Sequence, residues 1–296
     1  MKKSLTVSVL SLAACLCLAA LTLAACGGGG GAAKLANPLD FFQQARENMQ
    51  EADSFRMSGE MAAEMSGLEQ SGASSISVDY DMVYEQKGGE PLARMKMSIS
   101  GPPSYDMEAY VAGERMYLQM PDGTWVYQEV GITSELADMG QGMGPQNFKE
   151  ILAMAESAEV VAEDADTITY DLVLDFDKML RSQGAEEMLQ RFEELGLPDV
   201  DVDAITDYLR EVLSQTEYRM TVDKQSGLAT RFQIHMDMDL SSFAEMMPGE
   251  AIPEGAAMVV DADFSFSDYG ESFDIRLPEE VKDAVPVEDY AELMRG

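Results

Sequence analysis

Long stretches of the chain alternate apolar and polar residues with a period of two. Within 54–65, for example, Phe55 and Met57 alternate with Arg56 and Ser58. Successive side chains of a β-strand point to opposite faces of a sheet, so this period predicts a strand with one apolar and one hydrated face. Further strands are predicted at 76–84, 93–99 and 105–111, separated by short turns rich in Gly and Pro. Later strands are predicted at 167–176, 218–223, 228–240, 258–267 and 273–277.

A spacing of three and four residues between apolar positions predicts helices elsewhere. Leu39, Phe42, Ala45 and Met49 show this spacing within 38–53. Further helices are predicted at about 147–157, 177–196 and 201–214.

The order helix, meander, helices, second meander predicts an α+β fold. Two separate meanders would leave exposed sheet edges, which are best satisfied by joining into one sheet. We therefore expect one domain over 38–296, with a helical segment at about 177–214 that covers the concave face of the sheet.

The first 26 residues have the layout of a bacterial lipoprotein signal. Lys2 and Lys3 give a positive start, residues 5–25 are uncharged and mostly apolar, and Leu-Ala-Ala-Cys ends at Cys26. This ending resembles the lipobox, whose cysteine is acylated and becomes the mature N-terminus. We predict a signal peptide over 1–25, a lipidated Cys26 and a glycine-rich flexible tether over 26–37.

Two alternatives to this interpretation of the N-terminus are weaker. Leu-Ala-Ala-Cys also ends at Cys15, but cleavage there would leave the apolar stretch 16–25 on the mature protein without a polar spacer. About 20 apolar residues could instead form an uncleaved membrane helix, although no charged residues flank the far side of this run. We expect an extracytoplasmic protein that Cys26 anchors to the bacterial cell membrane.

The charge of the chain excludes one class of partner. Removing Lys2 and Lys3 from the 20 basic residues leaves 18 against 54 acidic ones, a formal charge of −36. Such a surface repels phosphate, so no nucleic acid is expected and membrane attachment must come from acyl chains. All three cysteines lie at or before Cys26, so the body, expected to be a monomer, has no disulfide and is held together by its core.

The sequence offers little for catalysis. A Ser-His or Cys-His pair needs a positioned imidazole, and the single histidine, His235, falls on the polar phase of its strand. No GxGxxG, P-loop, HExxH or CxxC pattern is present. We expect no enzyme activity, no catalytic residue and no cofactor; a hydrolase with a carboxylate pair is the last of the alternatives.

Asp199, Asp201 and Asp203 have the spacing of the first three ligands in a calcium-binding loop. Ala204 stands where that loop requires glycine, and Arg210 stands where it requires a bidentate glutamate. We therefore predict no metal site in this segment.

The 23 methionines are as informative as any motif. Many lie on the apolar phase of the predicted strands, where an unbranched, polarizable side chain adapts to ligands of varied shape. An ordinary methionine-rich core remains open as an alternative. The predicted lining for an acyl chain or a similar ligand consists of Met57, Met61, Met82, Met107, Phe232, Met236, Phe264 and Phe266.

Three segments share features with one group of lipoproteins. They are 109–125, which reads as two strands ending in Asp-Gly-Thr-Trp; 222–231 (VDKQSGLATR), which fits a D..SGL..R hairpin; and 266–278, which reads as a closing strand pair. In these segments the chain resembles the mycobacterial LppX/LprG-type lipoproteins and, more distantly, the lipoprotein carrier LolA.

The resemblance implies a LolA/LppX-like fold, in which a curved antiparallel half-barrel wraps over helices around an apolar cavity. Relatives of this kind bind or shuttle acyl-bearing molecules across the cell envelope. The first expectation is therefore an envelope carrier or sensor that holds a lipid or another amphiphile. The alternative is an acidic interaction module with a filled core, which docks a protein partner.

Overall fold

The computed structural model describes residues 38–67, 74–101, 104–129, 154–175, 202–240, 253 and 255–287. In chain order, the described elements are helix α1 (Pro38–Glu51), strands β1 (Ser54–Ser66), β2 (Ser74–Lys87), β3 (Glu90–Ser100), β4 (Tyr105–Ala112), β5 (Arg115–Gln119), β6 (Trp125–Glu129), β7 (Ala155–Glu163) and β8 (Thr167–Leu174), helix α2 (Val202–Gln215), strands β9 (Glu217–Asp223), β10 (Ala229–Asp239) and β11 (Ala257–Ser267), a 3-10 helix (Glu279–Asp283) and β12 (Val285–Pro286).

All twelve strands belong to one sheet, in the order β12-β6-β5-β4-β3-β2-β1-β11-β10-β9-β8-β7. Every neighbouring pair is antiparallel except β12 with β6, which is parallel. Strand β1 lies near the centre of this order, where it pairs with β2 on one side and with β11 on the other. Those two pairings join the early meander to the late one.

One face of the sheet carries the main core. Phe55, Met82 and Tyr170 are 0% exposed on this face, as the alternation in their strands predicts. Helix α1 packs against β7 and β9, and the ring of Phe42 lies 5.5 Å from that of Tyr170. Helix α2 lies against β10, where the hydroxyl of Tyr208 donates a 3.0 Å hydrogen bond to the backbone of β10.

The opposite face is mostly charged, and the last described segment crosses part of it. After β11, residues 268–287 run back to β6, and the amide of Phe273 donates to the Glu85 carboxylate at 3.3 Å. Val281 of the 3-10 helix packs with Tyr110 and Trp125, whose ring centroids are 5.9 Å apart. This small second core fixes the returning segment on the charged face.

The predicted α+β architecture, with a half-barrel wrapped over helices, is wrong. The described residues form one open twelve-stranded sheet, and their two α-helices span 14 residues each. Those helices pack near β7, β9 and β10, which stand at one end of the strand order. The sequence-based expectation gave too much weight to the helical segments and too little to strands such as β7.

The structure confirms some of the predicted helices and strands and contradicts others. The first helix and the helix predicted at 201–214 are confirmed as α1 and α2. The helix predicted at 147–157 is wrong over its last residues, which belong to β7, and 273–277 forms no strand. Helix 177–196, the signal peptide and the tether lie outside the described residues.

Candidate functional site

The eight residues predicted as an apolar lining all lie on one face of the sheet. Met57 stands directly opposite Phe266 on β11 and Met82 on β2, and Phe232 stands opposite Phe264. Directly paired residues of an antiparallel sheet point to the same side. By the same register, Met61, Met107 and Met236 share that face.

The structure divides these eight residues into two groups. Six are core residues with exposures from 0% to 6%: Met57, Met82, Phe232, Met236, Phe264 and Phe266. Met61 and Met107 are partly exposed and pack against the edge of that core. Only these two therefore lie where a ligand has access without displacing packed side chains.

Met61 and Met107 belong to a larger group of partly exposed apolar residues at one end of β1–β4. Met61 lies in one register row with Ile99 and Tyr105, and Met107 follows Tyr105 on the same side of β4. We name this group the apolar patch; it consists of Met61, Ala63, Ile76, Ile99, Tyr105 and Met107.

Near the centre of the same face, the described residues pack closely around Gly59. Gly59 lies in a register row between Phe264 and Tyr80, whose rings meet edge to face at 6.2 Å. A Cβ atom on Gly59 would stand 2.1 Å from the carbonyl oxygen of Asp263 and 2.9 Å from the Phe264 ring. The glycine lets the aromatic pair close over the strand.

The charged face contains a depression of about 480 Å³ across β9, β10, β11 and β1. Its volume lies in the range of small-ligand sites. We name it the polar depression; it is lined by Glu60, Ala62, Glu217, Arg219, Gln233, Ile234, His235, Asp261, Ala262 and Asp263.

Two arginines neutralise part of this surface. The Arg219 guanidinium donates to Asp171 at 2.7 Å, and that hydrogen bond raises the pKa of Arg219. Arg231 makes a bidentate pair with Asp263, in which Nε donates at 2.8 Å. The hydrogen bonds from Arg231 lower the pKa of Asp263, to which Gln233 also donates at 3.2 Å.

His235 lies at the rim of the polar depression. Its Nδ1 is 2.7 Å from Asp261 and its Nε2 is 3.6 Å from Asp237. The hydrogen bond to Asp261 raises the pKa of His235, assisted by the charges of Asp261 and Asp237. The described residues place no serine or cysteine within hydrogen-bond distance of this imidazole, which sits among carboxylates on a hydrated strand face.

The D..SGL..R segment forms the turn between β9 and β10. The Asp223 carboxylate accepts hydrogen bonds at 2.7 Å from the backbone and the hydroxyl of Ser226, which lower its pKa. Gly227 adopts φ of +66°, and its carbonyl accepts a 2.9 Å hydrogen bond from Asn48 of α1. These residues hold the first helix to the sheet.

The described residues do not include the other two segments that the sequence singled out. Cys26 and the Asp199 to Asp203 run lie outside the described residues. Within the described ranges, no three His, Cys, Asp or Glu side chains are grouped closely enough to hold a metal ion. Neither described helix has the length and apolar character needed to cross a membrane.

Sequence reasoning placed the lining residues on the correct face but missed the polar depression. Its members come from four strands, and one of them, β1, lies far along the chain from the other three, which are consecutive. The acidic alternation of each strand was visible, but the register that brings the strands together was not.

Residues 37–286 match a family described as "Family of unknown function (DUF6612)". No curated protein matches the chain. Among solved structures, the chain is similar to the crystal structure of a DUF1329 family protein from Desulfovibrio piger, at 7% identity and a TM-score of 0.29, over 81% of this chain and 95% of that one. A score this low carries no argument about function, and the specific resemblance to LppX/LprG is not confirmed.

Proposed function

The chain belongs to the DUF6612 family of unknown function, and we propose that it is a membrane-anchored protein of the bacterial cell envelope that binds an acyl-bearing amphiphile, as a carrier or sensor. The acyl chain lies on the apolar patch, and Cys26 provides the anchor. The observation that carries the proposal is the group of accessible apolar side chains next to a methionine-rich core.

The apolar patch suits a flexible chain better than a rigid ligand. Met61 and Met107 are unbranched, so their thioethers adjust to chains of different length and saturation. Ile99, in the register row of Met61, and Ile76, opposite Ala63 in the next row, add fixed apolar surface. Each methylene removed from water contributes about 0.8 kcal/mol, so a few carbons on this patch give measurable affinity.

The buried part of the predicted lining has a different role in this proposal. Residues such as Met82 and Phe232, at 0% and 1% exposed, form the floor that holds the patch in shape. They do not need to contact the ligand. The proposed contact residues are therefore fewer than the sequence predicted, with Met61 and Met107 as the two retained from that set.

The test is to purify the full-length protein from membranes in mild detergent and to identify co-purifying lipid by native mass spectrometry. Met61→Gln and Met107→Gln keep the side-chain length but remove apolar surface, so each should lower bound lipid several-fold. Val173→Gln is the matched control, because Val173 is an exposed apolar residue (57%) on β8, away from the patch.

Thermal unfolding midpoints equal to the parent show that the variants are folded. If the parent carries no lipid, or if both patch variants carry as much as the Val173 control, the amphiphile proposal is wrong.

The anchor is tested separately, by metabolic labelling with a palmitate analogue. Cys26→Ala should abolish labelling and processing of the precursor, whereas Cys15→Ala should leave both intact. Labelling that survives in Cys26→Ala and disappears in Cys15→Ala would reverse the assignment of the lipobox.

A further inference from the structure

We infer that Met61 and Met107 are sites of reversible oxidation to methionine sulfoxide, and that this modification releases the amphiphile from the apolar patch. The oxidant is a two-electron oxidant of the hypochlorous acid class. The assignment of the two modification sites stands on the exposure of these thioethers, whereas the release of the amphiphile rests on the proposed function.

Solvent access separates the patch methionines from those of the core. Within the described ranges, Met61, Met107 and Met120 are partly exposed. Every other described methionine has an exposure between 0% and 8%. Because the oxidant must reach the sulfur atom, exposed thioethers are oxidised before buried ones. The two methionines of the patch therefore react while the core methionines stay reduced.

The positions of the cysteines leave the thioethers as the first sulfur groups that an oxidant meets. Cys15, Cys17 and Cys26 all precede the folded body, and Cys26 is the proposed site of acylation. A thiolate would compete for the same oxidant. Since residues 27–296 contain no cysteine, the body has no thiol that protects its methionines.

The reaction is a two-electron oxidation of the thioether. The sulfur atom attacks hypochlorous acid, an S–O bond forms as the O–Cl bond breaks, chloride leaves and the proton passes to water. The product is a polar sulfoxide in place of an apolar side chain. A sulfoxide reductase supplied with a dithiol reverses the change, because the dithiol becomes a disulfide and the oxygen leaves as water.

The residues directly opposite the two methionines offer a sulfoxide no hydrogen bond. Met61 stands between Val78 on β2 and Ala262 on β11. Met107 stands opposite Met97 on β3. None of these side chains has a donor. Water can hydrate a sulfoxide on the open patch, but an acyl chain lying there would exclude that water at a cost in free energy. Oxidation therefore opposes ligand binding more than it opposes folding.

The test treats the full-length protein in mild detergent with increasing amounts of hypochlorous acid, which free methionine then quenches. Peptide mass spectrometry measures sulfoxide at each methionine, and native mass spectrometry measures bound lipid. Met61 and Met107 should be oxidised at least tenfold faster than Met95 and Met236, which are each 5% exposed. Bound lipid should fall several-fold at an unchanged unfolding midpoint. Methionine sulfoxide reductases with dithiothreitol should restore both the thioethers and lipid binding.

Leucine variants identify which thioethers matter. Met61→Leu combined with Met107→Leu keeps the patch apolar but cannot accept oxygen, so it should bind lipid before treatment and retain it afterwards. Its matched control is Met95→Leu combined with Met236→Leu, which removes two thioethers from the core and should lose lipid as the parent does. Met120→Leu, in the turn after β5 and outside the patch, should also behave as the parent does.

Equal oxidation of patch and core methionines would overturn the inference, and so would protection of lipid binding by Met120→Leu alone. A parent protein that keeps its lipid after complete oxidation of Met61 and Met107 would refute the release of the amphiphile and leave the proposed function standing. A parent protein that carries no lipid before oxidation would refute the proposed function and the release together, while the peptide map would still decide the two modification sites.

Discussion

The two faces of the sheet contribute to stability in different ways. On the apolar face, Phe55 and Met82 are fully buried, and deleting such a side chain loses both its transfer free energy and its packing. On the charged face, Arg219 and Asp171 are 40% and 41% exposed, so water screens their attraction. The stability lost on a substitution therefore depends on the face of the sheet more than on the strand.

The largest difference in lost stability is expected between substitutions at two consecutive residues of β11. Phe266 is 4% exposed, and its ring lies 6.1 Å from that of Phe55, whereas Ser265 points to the charged face and is exposed. Phe266→Ala should lower the free energy of unfolding by about 3–5 kcal/mol. Ser265→Ala should change it by less than about 0.5 kcal/mol. Denaturant titration measures both, and similar values would erase the distinction between the faces.

The next prediction tests how tightly the apolar face is packed. Gly59→Ala would place a Cβ atom 2.1 Å from the carbonyl oxygen of Asp263, a backbone atom that cannot rotate away. The strands must separate locally, at a cost of about 1–3 kcal/mol. Ser58→Ala, on the opposite side of β1, is the control and should be nearly neutral. A stable Gly59→Ala variant would show that this row is less closely packed than described.

On the charged face, the ion pair between Arg219 and Asp171 should contribute only modestly to the free energy of unfolding. A double-mutant cycle with Arg219→Gln and Asp171→Asn should give a coupling free energy of about 0.2–1 kcal/mol. The coupling should shrink as salt is raised, because half-exposed charges are screened. A coupling several times larger, or one insensitive to salt, would mean that this face contributes to stability as a core does.

The smallest effect concerns His235. Because its pKa is raised in the folded protein, the stability it contributes is fully present below the unfolded value of about 6.5 and is lost as the pH rises through the folded value. The side chain is 44% exposed, so the change should stay below about 0.5 kcal/mol.

Since the chain has one histidine, its proton resonances can be followed by NMR without ambiguity. Asp261→Asn should lower the measured pKa of His235. An unchanged titration in that variant would show that Asp261 is not the dominant cause.

The sequence predicted individual strands well because side-chain alternation is a local property. Strand β1 and both helices beside described strands were visible from periodicity alone, and so was the face on which Met57 and Phe232 lie. Strand β7 was missed because Ala155 to Glu163 has little apolar alternation; five of its nine residues are exposed glutamates, serine or alanine.

The pairing of strands could not be predicted in the same way. The polar depression requires β1 to lie beside β11, about 200 residues later in the chain. No local pattern specifies that register. The same reason explains why the sequence identified lining residues by face but could not separate the buried ones from Met61 and Met107.

The returning segment after β11 also affects how copies of this protein meet. An open sheet ends in strands with unpaired backbone groups, which invite fibre-like addition of another chain. At one end, β12 pairs with β6 and occupies that row. At the other, β7 carries Glu156, Glu159 and Glu163, and its pairing with β8 is interrupted twice. Both edges of the described sheet therefore disfavour the addition of a strand from another copy.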